Sequence, residues 1–107
     1  ELGLVGSEMC IRDSHFSAWE AFPGRGVDMI ESMQKSIAIS KKYDLDAYTY
    51  SSGLGQVFFV MAGESWSDLQ KKIEKRNASK EWNQHWMGIN KDPSGDFIRA
   101  AYSVRVN

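Results

Sequence analysis

His85, in the run EWNQHW, lies between Trp82 and Trp86. A neutral imidazole in that setting can act as a general base, or bind a haem iron or another metal. Trp82 and Trp86 are four residues apart, so a helix places them on one face. Trp19, Tyr48 and Tyr50 add flat apolar surface, and Arg99 or His85 can anchor the polar end of a ligand lying against them. The candidate site is therefore His85 as base, with Trp19, Tyr48, Tyr50, Trp82, Trp86 and Arg99 as a pocket. The plainer alternative is a helix histidine hydrogen-bonded at the rim of an aromatic cluster that is simply core or dimer interface. A metal site needs several converging ligands. One histidine, with no carboxylate at a fixed spacing, does not supply them, and neither a metal nor another cofactor is expected.

Other chemistry is thinly represented. SSGLG and GRG are too sparse for a phosphate-binding loop, which wants a longer glycine pattern leading from strand into helix. No Ser-His-Asp set stands out. QVFFVMA lacks the basic, glycine-flanked aromatics of an RNA-binding sheet. Asn77-Ala78-Ser79 fits a glycosylation sequon, but nothing resembling a secretion signal accompanies it.

The first residues need separate treatment. LVGSEMCIRDS, Leu4 to Ser14, has neither helical nor strand periodicity. It resembles the in-frame translation of the transposon adaptor used for shotgun sequencing libraries. Residues 1–14 are accordingly expected to be a foreign, disordered segment, with the natural chain, of environmental (metagenomic) origin, starting near His15. Setting them aside removes Glu1, Glu8, Asp13 and Arg12, and moves the net charge from −1 to near +1. Such a balance suggests neither a nucleic-acid nor an acidic-tail function. The one cysteine, Cys10, goes with the segment, so disulfides and thiolate chemistry are excluded from the rest and a reducing cytoplasm fits. No apolar run approaches the roughly 18–20 residues that would cross a membrane. The 107 residues allow one domain, and so short a chain often completes its core as a homo-oligomer.

The elements that must position these residues follow from periodicity. His15–Ala21 reads as a strand, ended by Pro23, Gly24 and Gly26. Val27–Tyr43 is an amphipathic helix with Ile30, Met33, Ile37 and Ser40 on its apolar face. Leu45–Tyr50 alternates, and after a turn at SSGLG the run Gln56–Ala62 is apolar on both sides; together they make a hairpin. Ser65 or Ser67 caps a helix that carries Leu69 and Ile73, breaks near Asn77, and restarts through SKEW. Phe97–Val106 alternates strictly and is the last strand, with Arg99 and Arg105 on the side opposite Ile98 and Tyr102. The predicted fold is α+β, a ferredoxin-like βαββαβ unit with a four-stranded antiparallel sheet, spanning residues 15–107. Its helices cover one face. The other, bearing one side of Gln56–Ala62 (either Val57, Phe59 and Met61 or Phe58, Val60 and Ala62) and with Trp19, Tyr48 and Tyr50 nearby, is too apolar to meet water alone, and sheet-to-sheet dimerisation is the economical cover.

WEAFPGRGVDMIESMQKSIAISKKYD, GQVFFVMAGESWSDLQKKIEK and EWNQHW together resemble the dimeric α+β barrel superfamily, most closely its NIPSNAP-type branch. The resemblance implies two sheets paired face to face, with a pocket between the sheet and helices of each protomer. It also implies a range of activities: cofactor-free oxidation of polycyclic aromatics, haem degradation, dehalogenation, cyclisation or plain ligand binding. The haem-degrading branch carries an Asn on the first strand and a Trp and a His on the late helix. Here the first strand offers Ser17 and Trp19, and neither Trp66 nor Trp82 has the required spacing to His85.

The expected protein is thus a cytoplasmic homodimer that binds a small apolar or aromatic metabolite, without nucleic-acid or membrane partners. Its enzymatic form is cofactor-free and monooxygenase-like; its alternative is an assembly module with no pocket. A cavity of about 300 Å3 or more with His85 pointing into it favours the enzyme, and an aromatic-filled interior favours the module.

Overall fold

A computed structural model describes residues 13–51 and 55–103. The expected disorder of the leading segment up to residue 12, the tip of the SSGLG turn, and Val104, Arg105 and Val106 lie outside the described residues.

Among the described residues seven elements follow one another: β1 (Asp13–Ala21), α1 (Gly26–Lys41), β2 (Asp46–Ser51), β3 (Gln56–Gly63), α2 (Trp66–Asn77), α3 (Lys80–Lys91) and β4 (Gly95–Ser103). The strands form one sheet in the order β2-β3-β1-β4, with every neighbouring pair antiparallel. This is the ferredoxin-like α+β fold, its second helix split in two.

Local chemistry explains the breaks. Ser65 caps α2 by accepting from the Asp68 N–H at 3.1 Å, and Ser79 caps α3 by accepting from the Trp82 N–H at 3.1 Å. The Ser79 hydroxyl also donates to the Arg76 carbonyl at 2.7 Å, so one side chain ends α2 and begins α3. At the end of α1, Asp44 takes the left-handed conformation (φ 60°) that short polar side chains tolerate. The Leu45 N–H then bonds the Ser40 carbonyl at 3.2 Å.

Two elements differ from the sequence reading. The buried stripe of α1 is Met29, Met33, Ser36, Ile39 and Ser40, while Ile30 faces solvent. The spacing 29, 33, 36, 40 is itself helical; two methionines and two serines are simply a less apolar stripe than periodicity favours. In β4, the register slips between Ala18 and Trp19, which pair with Arg99 and Phe97 and leave Ile98 as a bulge. The strict alternation predicted for this strand is broken there. Phe97 and Ala100 consequently share the helix-covered face.

The packed core, Leu45, Ala47, Phe59, Met61 and Leu69, sits between β2–β3 and the helices, with Ile37, Trp66 and Ile73 against it. The β1–β4 half of the same face is less filled.

Strand β1 begins two residues before the expected start of the domain. Asp13 pairs with Gly63, Ser14 pairs with Ala62 and Ser103, and Asp13 is buried. Each ladder hydrogen bond contributes about 1 kcal/mol net, and each kcal/mol moves the melting temperature of a domain this size by roughly 4–8 °C. A chain shortened to start at His15 is therefore expected to melt several degrees below one starting at Asp13. Equal melting temperatures would show that the first two positions of β1 add nothing.

Candidate functional site

The strand register decides which side chains meet the helices. On β1, His15, Ser17 and Trp19 share a face with Met61, Phe59 and Val57 of β3, opposite which they pair. With Phe97 and Ala100 of β4 they form the floor of a cavity of about 250 Å3 under α1 and α3. Trp82 and Trp86 of α3, and Met29, Met33, Ser32 and Ser36 of α1, complete its walls. For scale, an apolar cavity of roughly 150 Å3 accepts benzene.

The aromatic lining is continuous. Trp82 meets Trp86 edge-on at 6.0 Å, Trp86 meets Trp19 at 6.0 Å, and Trp19 meets Phe97 edge-on at 5.3 Å. Trp19 satisfies its indole N–H on Ser17 Oγ at 2.8 Å. At the other end of the arc the Arg76 guanidinium lies 3.7 Å over the Trp82 ring.

Arg76 is 5% exposed. Its Nη1 donates to Ser40 Oγ at 3.0 Å and to Met61 Sδ at 2.9 Å; Nε and Nη2 donate to Asn77 Oδ1 at 3.2 and 2.9 Å. Every acceptor is neutral. Four of its five N–H groups are engaged, one on Nη2 has no acceptor, and no carboxylate pairs with it, among the described residues. Burial pushes this guanidinium down to about 10, so it stays charged at neutral pH. An ion taken from water without a counter-ion costs several kcal/mol. Contact with a ring face returns about 2 kcal/mol when desolvated. Its hydrogen bonds offset more of that cost, but all go to neutral groups, so no opposite charge balances it among the described residues.

His15 lies in the same cavity, and its Nδ1 is buried with no hydrogen-bond partner. Burial first, and then the Arg76 charge, hold its imidazole below the ordinary range.

The predicted site residues divide. Trp19, Trp82 and Trp86 come together as expected. Tyr48 and Tyr50 do not join them: they pair with Val60 and Phe58 and share the helix-free face. Arg99, opposite Ala18, is on that face too, with its guanidinium carbon 5.7 Å from the Phe16 ring centre. Strand parity puts all three on the far side of the sheet from the cavity. Trp19, by the same parity, is under the helices rather than beside the helix-free face.

His85 is buried between α1 and α3 and is not among the residues lining the cavity. Its Nε2 is 2.7 Å from Ser36 Oγ, and that hydroxyl donates to the Ser32 carbonyl at 3.0 Å. With the hydroxyl proton used there, Nε2–H of His85 is the donor between them. Burial, then the charge of Lys35, lower His85, against the Ser32 carbonyl and Glu81, which favour the imidazolium. Its link to the cavity is Ser36, which does line it.

Arg76 and His15 escaped the sequence reading. RNAS predicts a helix break, which the structure shows, and His15 stands at the expected edge of the natural chain. The one available signal was parity: His15, Ser17 and Trp19 alternate along a strand. No three of His, Cys, Asp and Glu gather to hold a metal among the described residues, and no helix among them is long and apolar enough to cross a membrane.

The sheet order and the helices on one of its faces define a ferredoxin-like α+β fold, the fold also seen in the NIPSNAP family. Solved structures of that family are its neighbours. A NIPSNAP family protein from Agrobacterium tumefaciens superposes with a TM-score of 0.72 at 11% identity, covering 90% of this chain and 87% of that one. An uncharacterised NIPSNAP domain protein from Burkholderia xenovorans gives 0.65 at 18% identity, covering 88% and 94%. A candidate antibiotic biosynthesis monooxygenase from Chloroflexus aurantiacus gives 0.63 at 8% identity, covering 90% and 94%. At such identities the likeness is one of fold. No protein-family model matches the sequence, and no curated protein does.

Both histidines, His85 buried and His15 half-buried, are held below their ordinary value, so the folded chain resists protons that the unfolded chain accepts. Stability is therefore complete above about pH 6.5 and is lost as the pH falls below it. Melting temperatures measured from about pH 7.5 to about pH 5 are expected to fall, and His85→Gln, which keeps an N–H for Ser36, is expected to flatten the fall. A slope unchanged in H85Q would show that His85 titrates as freely in the folded chain as in the unfolded one.

Proposed function

We propose that the chain is a homodimeric binding domain for a small apolar or aromatic molecule, seated in the cavity between sheet and helices. The observation that carries this reading is the cavity itself: about 250 Å3 walled by Trp19, Trp82, Trp86 and Phe97, in an interior that elsewhere closes around Leu45, Phe59 and Leu69. An assembly module with no ligand has no use for unfilled space beside a buried charge, because close packing there would be more stable.

The helix-free face supports the dimer. Tyr50 stacks on Phe58 at 5.2 Å and Phe58 meets Phe16 at 6.3 Å, and Tyr50 is 54% exposed. Tyr48, Tyr50 and Arg99 belong in this reading to the contact between protomers, not to the pocket. In the enzymatic form, cofactor-free and monooxygenase-like, His85 acts on the cavity only through Ser36. The candidate monooxygenase among the structural neighbours lends that form its chemistry, and the NIPSNAP proteins lend none.

Native mass spectrometry of the protein as purified from cells tests both parts. A dimer carrying a few hundred daltons of extra mass per chain is expected, and Phe58→Asp is expected to give monomers. A bare dimer would favour the assembly module. A monomeric parent chain would overturn the barrel, since the aromatic sheet face would then need another cover.

A further inference from the structure

The polar end of the cavity is more specific than its aromatic walls. Arg76 carries a full charge that only neutral groups contact, and one of its Nη2 protons has no acceptor among the described residues. In the same cavity, Nδ1 of His15 is buried without a partner. A native interior rarely leaves two such groups together unless something else completes them. A carboxylate carries what both lack: a negative charge for Arg76 and two acceptor oxygens, one for its free N–H and one for the Nδ1–H tautomer of His15.

We propose that the ligand of this cavity is an aromatic carboxylic acid of one or two rings, its ring system among the tryptophans and its carboxylate between Arg76 and His15. This rests on the binding function proposed above and names the class of molecule. The size follows from the volume: about 250 Å3, against the roughly 150 Å3 that holds one benzene ring. The sign follows from the guanidinium, which a neutral ligand would leave uncompensated and a cation would repel. The lowered imidazole of His15 agrees with it, since a neutral ring beside Arg76 adds a donor without adding charge. Ser17 Oγ already accepts the Trp19 indole N–H, and Ser36 Oγ is taken up with Ser32 and His85. Beside these hydroxyls, Arg76 brings the fixed positive charge among the lining residues and His15 an unpartnered ring nitrogen.

Isothermal titration calorimetry of the full chain with 2-naphthoate and the near-isosteric 2-naphthamide tests the assignment. Naphthoate is expected to bind about tenfold or more tighter. Arg76→Gln is expected to erase the difference, Arg76→Lys to keep part of it, and His15→Leu to weaken naphthoate several-fold. Melting curves report whether each variant folds, and if R76Q does not, the two probes on the parent chain decide. Equal affinity for the two probes would overturn the acid while leaving an aromatic-binding cavity. A preference that survives in folded R76Q would place the anion elsewhere and overturn the assignment. Failure of both probes to bind would count against the binding function itself and remove this inference with it.

Discussion

Burial of the Arg76 guanidinium is the constraint on which this half of the molecule is built. A charge out of water is tolerated only when its donors are met and its field is shared. Here the partners come from different parts of the chain: Ser40 at the end of α1, Met61 on β3, Asn77 beside it, and the Trp82 ring at the start of α3. They converge because the second helix breaks. Were α2 and α3 continuous, residues 76 and 82 would point in directions fixed by helical periodicity. The turn at Ala78–Ser79, held by the Ser79 side chain on both flanks, lets Trp82 fold over Arg76. The interruption is the corner of the site.

The same helix-covered sheet face serves two purposes. Over β2 and β3, large aliphatic and aromatic side chains close the core. Over β1 and β4 small residues, Ser17, Ser32, Ser36, Ser94, Gly95 and Ala100, stand between the aromatic ones that border the cavity. Phe59 and Met61 belong to both the core and the cavity wall, so the packed half supports the open one. Space in a protein interior costs contacts, and this chain distributes that cost over residues too short to fill it.

How much of this was legible in the sequence depends on which length scale carried the signal. The order of strands and helices follows from a change of period, which Val27–Tyr43 and Leu45–Tyr50 display clearly. The pairing of Trp82 with Trp86 follows from a four-residue spacing. What was hidden depends on the register between strands. The parity of Tyr48, Tyr50 and Arg99 relative to the helices is fixed by their partners Val60, Phe58 and Ala18, and no local pattern states it. The bulge at Ile98 shifts Phe97 onto the cavity floor, although alternation assigned it to the same set as Arg99. Arg76 was hidden for a different reason. A basic residue in the last turn of a helix ordinarily faces water and the helix dipole, and only the folded corner turns it inward.

These positions give the cavity an electrostatic character that its aromatic walls do not have. Both histidines near it, His15 at its edge and His85 behind Ser36, are pushed toward the neutral form. Arg76, lowered but still charged, supplies the fixed positive charge among the residues around the cavity. In a low-dielectric interior, one such charge acts over several ångströms with little screening. The tryptophans set the size and flatness of whatever fits, and among neutral, anionic and cationic ring systems their faces on their own favour the cation. Discrimination between these falls to the guanidinium, because the energy of leaving it unpaired is larger than any difference the ring contacts provide.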